Sequence, residues 1–189
     1  MNVGFMANLN TSQMKITGGF GRSITTGTQW SAGFGIYFKS AVKNRFRLEA
    51  ESAFEATGSG KETYYERSTY EWVRIYDRYR TIPFTLKLDR SLGETGKWSV
   101  GAGFKSSFVV GYSVRHESAV PNGSSGIILS PVVKKWFGSP VIQLTRNFAT
   151  SDVSLCGWYA ISPLIDQYGV TSTPFGISFA VKARLITYD

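Results

Sequence analysis

The segment FRLEAESAFE, residues 46–55, alternates apolar and charged side chains almost without interruption. Phe46 and Phe54 fall on one side of an extended chain, and Glu49 and Glu51 fall on the other. This period of two predicts a β-strand whose two faces meet different environments. In a soluble barrel or sandwich the charged face meets water, whereas in a membrane barrel it lines the interior and the apolar face meets lipid.

The composition of the 189-residue chain favours an all-β protein with a single domain over residues 1–189. The 20 glycines and the 15% aromatic content are typical of strands and turns. No run approaches the ~18 consecutive apolar residues of a spanning helix, which excludes a helical membrane protein. The net charge of +8 fits contact with nucleic acid, contact with anionic lipid headgroups, or a solvated basic surface. Because the basic residues alternate with aromatics and form no separate patch, we expect no nucleic-acid partner.

The chain contains one cysteine, Cys156, and one histidine, His116. A single cysteine cannot form an intrachain disulfide, and a zinc site needs several closely spaced Cys or His ligands, so we expect no metal and no cofactor. After Met1 the sequence has neither the basic start nor the apolar segment of a signal peptide. Either the protein is cytosolic, or an initiator Met has replaced a leader that is removed from the mature form.

Eight segments have strand-like patterns, and the links between them alternate in length. The predicted strands cover residues 2–10, 29–39, 45–56, 76–89, 97–113, 132–148, 152–163 and 174–187. Long links occupy residues 11–28, 57–75 and 114–131, an intermediate one 164–173, and short polar ones 40–44, 90–96 and 149–151. Long links at one end and short turns at the other are typical of transmembrane barrels. The pattern predicts an all-β fold, an approximately eight-stranded antiparallel up-and-down transmembrane β-barrel.

The side chains on the two faces of these strands indicate which face points into the barrel and which points outward. A group of charged residues lies opposite the apolar side chains: Glu49, Glu51, Glu55, Lys87, Lys105, Lys182 and Arg184. We expect them to form an interior charge network, since a barrel of about eight strands has just enough interior for side chains. The apolar faces carry aromatics near their ends, such as Trp30 and Trp98, which suits the girdles at two membrane interfaces. A soluble, lipocalin-like barrel that binds a small molecule is the alternative, because it produces the same alternation.

Three parts of the sequence resemble a known family. They are the opening VGFMANLNTSQM (3–14), the strand pair YRTIPFTLKL (79–88) and WSVGAGFKSSFVVGY (98–112), and the closing FGISFAVKARL (175–185). Together they resemble the outer-membrane β-barrel domain, or porin-like, family of Bacteroidetes-type bacteria over essentially the whole chain. The resemblance implies a removed signal peptide and a location in the bacterial outer membrane. It does not imply one activity, because a fold does not fix function.

His116, Glu117 and Ser118 are candidates for catalysis. They resemble the His-x-Ser pair with an acidic neighbour of outer-membrane lipid A deacylases, which would make them base, carboxylate and nucleophile. Glu117 falls on the opposite face of the chain from the other two residues. An exposed histidine in a loop is therefore the simpler interpretation.

Arg74, Arg78 and Arg80 are candidates for binding lipid headgroups. They share one parity at the start of the fourth predicted strand, with Arg74 at the end of the long link over 57–75. The planar guanidinium group of arginine can bind a phosphate through two parallel hydrogen bonds. We therefore expect these residues to contact the phosphates of lipopolysaccharide. The alternative is that the three arginines are simply solvent-exposed residues at the base of the loop.

The sequence therefore favours a non-catalytic structural or interaction protein of the outer membrane that presents its long links outside the cell. Its expected partners are outer-membrane lipids or lipopolysaccharide, and a protein at the long links. A filled interior argues against an open diffusion pore. A lipid A-modifying esterase is the alternative within the membrane, and the lipocalin-like barrel is the alternative outside it.

Overall fold

A computed structural model describes residues 1–17, 23–43, 45–58, 62–66, 71–93, 95–118, 133–167 and 170–187. The strands in these ranges are β1 (Asn2–Thr17), β2 (Ser23–Thr25), β3 (Gln29–Lys43), β4 (Phe46–Gly58), β5 (Glu62–Glu66), β6 (Glu71–Leu92), β7 (Trp98–Ser118), β8 (Trp136–Asn147), β9 (Ser151–Tyr159), β10 (Ile165–Gln167) and β11 (Val170–Thr187). The described ranges contain no helix that is long and apolar enough to cross a membrane.

Eight of these strands close into an antiparallel barrel, which confirms the predicted fold. The eight are β1, β3, β4, β6, β7, β8, β9 and β11, and each pairs with the next along the chain. The pairing of β1 with β11 closes the circle and removes the two sheet edges. The short strands β2, β5 and β10 extend the sheet beyond the barrel by pairing with β1, β6 and β11.

The prediction of where the long links begin is wrong at several places. β1 continues to Thr17, β6 begins at Glu71 and β7 continues to Ser118, all inside the predicted links. The added residues of β1 and β7 are largely polar and continue no apolar face, whereas those of β6 include Trp72, Val73 and Ile75. Antiparallel pairing depends on backbone hydrogen bonds, which form whatever the side chains are, and the strands continue past the apolar part of the barrel.

The later strands also differ from the predicted bounds. β8 begins at Trp136 instead of residue 132, and β11 begins at Val170 instead of residue 174. The predicted strand over 152–163 is too long, because β9 ends at Tyr159. The chain bends just beyond this point and reaches Pro163, which has no N–H group to donate to a strand partner.

The barrel has two unlike ends. At the short-turn end, residues 44–45, 93–97 and 148–150 connect the strands, and β1 begins beside the last residues of β11. At the long-link end the connections span residues 18–28, 59–70, 119–135 and 160–169, apart from the short strands within them. In the 93–97 turn, Gly93 and Gly96 have φ values of 67° and 59°, a left-handed conformation that glycine adopts without strain.

The outer surface of the barrel is apolar, and the interior buries charged side chains. Phe34, Phe84 and Phe179 are 71%, 50% and 47% exposed, whereas Glu49 and Lys182 are 0% exposed. Every one of the eight barrel strands contributes large exposed apolar side chains. This is the reverse of a soluble barrel, so the lipocalin-like alternative is wrong. Period-two alternation produces both faces from one sequence pattern.

Exposed aromatic side chains occur near both ends of the outer surface. At the long-link end they are Trp30, Phe108, Tyr112, Trp136 and Tyr159, and at the short-turn end they are Phe46, Trp98 and Phe148. Two such girdles are typical of a barrel whose apolar belt matches a bilayer.

Candidate functional site

Eight charged side chains occupy the interior nearest the short-turn end, and we call them the charged cluster. They are Lys39, Glu49, Glu51, Lys87, Asp89, Asp152, Lys182 and Arg184. They come from β3, β4, β6, β9 and β11, each from a position whose alternation points it inward. The cluster contains four cationic and four anionic groups, so its formal charges cancel.

Glu49 lies at the centre of the charged cluster. Its Oε1 is 2.9 Å from Lys87 Nζ and 2.7 Å from Lys182 Nζ. Its Oε2 is 3.5 Å from Lys39 Nζ, and Gln143 donates a hydrogen bond from Nε2 to Oε1 at 3.1 Å. One fully buried carboxylate thus pairs with three lysines. Because it neutralises only one of their three positive charges, the lysines need further acidic partners.

Glu51 and Asp152 supply those partners. Glu51 Oε1 is 2.6 Å from Lys87 Nζ and also contacts Lys182. Asp152 accepts from Lys39 at 3.1 Å and from Arg184 at 2.6 Å. A buried charge without such a partner is strongly destabilising, so each member of the cluster depends on the others.

Glycines on the interior face make room for these long side chains. A Cβ built on Gly103 would lie 2.8 Å from Lys87 Cγ and even closer to the backbone oxygen of Leu86. A Cβ on Gly33 would collide with the side-chain oxygen of Asn8. The small residues therefore have a steric role in packing the interior.

A second polar group lies further from the short-turn end. Lys105 contacts Glu55, whose Oε2 accepts hydrogen bonds from Asn8 at 3.4 Å and from Asn10 at 3.1 Å. The ammonium group of Lys105 also lies 4.6 Å from the centre of the Trp158 ring, a favourable cation–π distance. Lys105 thus contacts both the polar side chains of the interior and an aromatic ring of the apolar part beyond them.

The interior near the long-link end is apolar, and we call this group the apolar cluster. Its members are Met14, Tyr79, Phe137, Val141, Trp158, Ala160, Leu164 and Ile165. Leu164 and Ile165 belong to the connection between β9 and β11, so part of that connection packs onto the inward-pointing side chains of the barrel. Backbone hydrogen bonds from Leu164 N to Ser172 O and from Lys134 N to Leu164 O hold it there.

A void of about 30 Å³ lies between the two clusters. Glu51, Glu55, Lys105, Cys156 and Trp158 are among the residues that line it. This volume is enough for about one or two water molecules, far below the ~300 Å³ at which ligand pockets begin.

The structure brings the sequence-predicted interior residues together with three that the sequence analysis did not include. Glu49, Glu51, Lys87 and Lys182 meet in the charged cluster, Glu55 meets Lys105, and Arg184 reaches Asp152 at the mouth of the barrel. The additional residues are Lys39, Asp89 and Asp152. Lys39 and Asp89 fall on the inward-pointing parity of their predicted strands, and this signal could have identified them.

Two of the three predicted headgroup arginines, Arg78 and Arg80, have described side chains, and both lie on the outer face of the barrel. Arg78 and Arg80 are exposed on β6, beyond the apolar belt and one strand away from Tyr112. Arg74 is on the same strand, opposite Glu117 of β7 in the backbone register, and its side chain lies outside the described residues.

The three catalytic candidates lie at the end of β7. In the backbone register His116 is opposite Ile75, Glu117 is opposite Arg74 and Ser118 is opposite Val73. Their side chains lie outside the described residues, so no distance between them can be assigned. Among the described side chains, no three His, Cys, Asp or Glu residues are grouped so as to hold a metal ion.

Comparison with known proteins identifies similar folds at low sequence identity. No protein-family model matches the sequence, and no curated protein matches it. Neisserial surface protein A (NspA) is similar with a TM-score of 0.48 and 12% identity, over 98% of this chain and 100% of that chain. Ail, the attachment invasion locus protein of Yersinia pestis, is similar with a TM-score of 0.41 and 8% identity, over 96% of this chain and 99% of that chain. Both are outer-membrane barrel proteins.

A second structure of Ail was solved in complex with the heparin analogue sucrose octasulfate. It is similar to this chain with a TM-score of 0.39 and 10% identity, over 96% of this chain and 99% of that chain. At these identities and scores the similarity is one of fold, and the function of the chain has to be argued from its own residues.

Proposed function

We propose that this protein is a bacterial outer-membrane barrel with a non-catalytic structural or interaction role, which presents its long links on the outside of the cell. The observation that carries the proposal is the inverted distribution of side chains. Large apolar groups are exposed around the whole barrel, and charged groups pair with one another inside it. A bilayer is the environment in which this arrangement is stable, because Lys or Arg on the lipid face costs about 2–4 kcal/mol at the midplane.

The contents of the interior argue for a structural role instead of transport. Charged and apolar clusters follow one another along the axis, and the void of about 30 Å³ between them has room for only about one or two waters. A pore that passes solutes needs a continuous aqueous channel, which barrels with many more strands provide. The long links are then the parts of the chain available to partners outside the cell.

The location and orientation can be tested with an epitope tag in each kind of connection. One tag is inserted in the NGSSG segment at residues 122–126, and the other in the short turn at residues 93–97. We expect an antibody to stain intact cells that carry the first tag, and to stain cells that carry the second only after permeabilisation. Staining of the short-turn tag on intact cells, or extraction of the protein without detergent, would contradict the proposal.

The finer part of the proposal is that Arg74, Arg78 and Arg80 contact lipopolysaccharide phosphates. Two observations support it: Arg78 and Arg80 are exposed beyond the apolar belt at the long-link end, and Tyr112 on the neighbouring strand is 53% exposed. Aromatic and basic side chains at one level are typical of a headgroup zone. The guanidinium fork is suited to phosphate oxygens.

A charge-matched pair of variants tests this contact. R78Q/R80Q removes two of the arginines, and K134Q/K135Q removes two exposed lysines near the same end of the barrel. We expect lipopolysaccharide binding by the purified protein to weaken about fivefold for each arginine removed, and further on addition of Arg74→Gln. The lysine variant should lose much less. Equal losses in the two variants, or no loss, would show that the arginines do not form a phosphate site.

A further inference from the structure

An open cleft of about 500 Å³ lies at the short-turn end of the barrel, away from the arginines discussed above. Four cationic side chains line it: Arg47, Lys97, Arg146 and Arg184. They come from β4, the 93–97 turn, β8 and β11, so four separate parts of the chain bring positive charge to one place. No described carboxylate lines the cleft. Glu94 of the same turn is not among the described residues.

Polar contacts at the floor of the cleft fix the positions of the arginines. Asn147 donates to Gly96 O at 3.0 Å, and its Oδ1 accepts from Arg47 Nη1 at 3.5 Å. Arg184 donates to Ala149 O at 2.8 Å and to Asp152 at 2.6 Å. Arg184 is therefore neutralised, whereas Arg47, Lys97 and Arg146 form no ion pair with a described residue.

The cleft crosses the rim of the barrel from its interior to its outer face. Arg47 and Arg184 occupy inward-pointing positions at the mouth, and Arg146 occupies an outward-pointing position on β8. The guanidinium of Arg146 lies 4.9 Å from the ring centre of Trp98 and 5.8 Å from that of Phe148. Both rings are exposed aromatics of the short-turn girdle. The cationic cleft is thus continuous with the lipid-facing surface.

We propose that this cleft binds the phosphate of an anionic phospholipid headgroup in the leaflet at the short-turn end. Arg47 and Lys97 face the phosphate from the mouth and the turn, and Arg146 contacts it from the rim. The acyl chains lie along the outer face beside Trp98 and Phe148. A free phosphate compound offers the same anionic group but gains nothing from the apolar surface beside Arg146, which is why a lipid is the favoured source.

This inference goes beyond the proposed role of the long links, but its lipid source rests on the proposed membrane location. The electrostatic argument is simple: a basic residue near a membrane surface strengthens the binding of anionic lipid about fivefold. The volume of the cleft is within the range of sites that hold small molecules. Stacking on Trp98 and Phe148 keeps the guanidinium of Arg146 at the level of the headgroups.

The test uses the full-length protein in zwitterionic detergent, titrated with short-chain phosphatidylglycerol, short-chain phosphatidylcholine or glycerol phosphate. Microscale thermophoresis measures each affinity. The variant R47Q/R146Q removes two cations from the cleft, and K134Q/K135Q removes two exposed cations from the long-link end as the charge-matched control. Heat-modifiable gel mobility checks that each variant is folded, and Lys97→Gln provides a milder change in an exposed turn residue.

We expect the wild type to prefer phosphatidylglycerol to both other compounds. R47Q/R146Q should bind phosphatidylglycerol about 25-fold more weakly, Lys97→Gln about fivefold more weakly, and K134Q/K135Q almost as well as the wild type. Equal affinities for the two lipids, or equal losses of affinity in the two double variants, would show that the cleft is not a site for anionic phospholipid. Glycerol phosphate bound as tightly as phosphatidylglycerol would overturn the lipid assignment. The epitope-tag experiment fails or succeeds independently of these outcomes, so failure of the location is distinguishable from failure of the cleft.

Discussion

The charged cluster and the apolar cluster are both buried inside one barrel, yet they stabilise it in different ways. In the charged cluster each group depends on named partners, since three lysines surround Glu49 and three further acids, Glu51, Asp89 and Asp152, also pair with them. In the apolar cluster Phe137, Leu164 and Trp158 need only shape and volume. Removal of a member therefore leaves an unpaired charge in one cluster and a cavity in the other. Stability should be more sensitive to single changes at the charged end.

The largest effect is expected at the centre of the charged cluster. Glu49→Ala removes the carboxylate that Lys39, Lys87 and Lys182 share, and should lower the free energy of unfolding by about 3–5 kcal/mol because buried cations lose their partner. Urea unfolding in lipid vesicles, followed by heat-modifiable gel mobility, measures the change. Asp166→Asn is the control, since the pair that Asp166 forms with Lys134 at 3.7 Å is exposed, and the variant should change stability by less than about 1 kcal/mol. Similar losses in the two variants would refute the distinction between buried and exposed pairs.

A smaller loss is expected in the apolar cluster. Leu164→Ala creates a cavity around a side chain that is 0% exposed, and should cost roughly 2–4 kcal/mol. The loss falls below that of Glu49→Ala because this variant leaves a cavity but no unpaired buried charge. The same urea titration measures it, with Ile161→Ala, at an exposed position of the same connection, as the control. A loss greater than that of Glu49→Ala would reverse the ranking of the clusters.

The glycines beside the charged cluster provide a third comparison. Gly103→Ala places a methyl group against Lys87 and the β6 backbone, and should cost about 1–3 kcal/mol through overpacking. Gly157→Ala is a matched control in β9, because a Cβ there meets nothing within 4 Å. We expect its stability to equal or slightly exceed that of the wild type. If both alanine variants behave alike in urea, interior glycines do not serve to admit the long charged side chains.

The smallest effect is expected when a charged pair is replaced as a whole. K105M/E55M substitutes two apolar side chains for an ion pair, and should change the free energy of unfolding by no more than about 1 kcal/mol. Each single variant should lose more, because Lys105→Met leaves Glu55 and Glu55→Met leaves Lys105 without its counter-ion. A double-mutant cycle measures the coupling. Additive losses in the cycle would mean that the pair is not mutually dependent.

The sequence was sufficient to predict the faces of the barrel but not the full membership of its interior. The alternation in residues 46–55 places Phe54 outside and Glu49 inside, as the structure has them. It does not reveal that Glu49 meets Lys182, 133 positions away, because that contact depends on closure of the barrel. Lys39 and Asp152 were missed because they are terminal residues of their predicted strands, 29–39 and 152–163, where the end of the pattern is ambiguous.

The ends of the barrel were the least predictable regions. Polar residues in β1 and β7 continue the strands by backbone pairing alone, which leaves no hydrophobic signal. The cleft at the short-turn end was not anticipated, since its four cations are far apart in the sequence and meet only through the fold. Arg146 in particular looks like one more polar residue at the end of a strand.

The central claim, that the apolar face meets hydrocarbon, can be measured along β6. Nitroxide labels are placed one at a time at residues 82, 84, 86 and 88, with a control label at Thr95 in the short turn and Cys156→Ala as background. The four strand positions are exposed on the outer face. We predict that, in lipid vesicles, they collide often with dissolved oxygen and rarely with a water-soluble nickel complex, whereas Thr95 shows the opposite. Frequent collision of the four strand labels with the nickel complex, as at Thr95, would contradict the account.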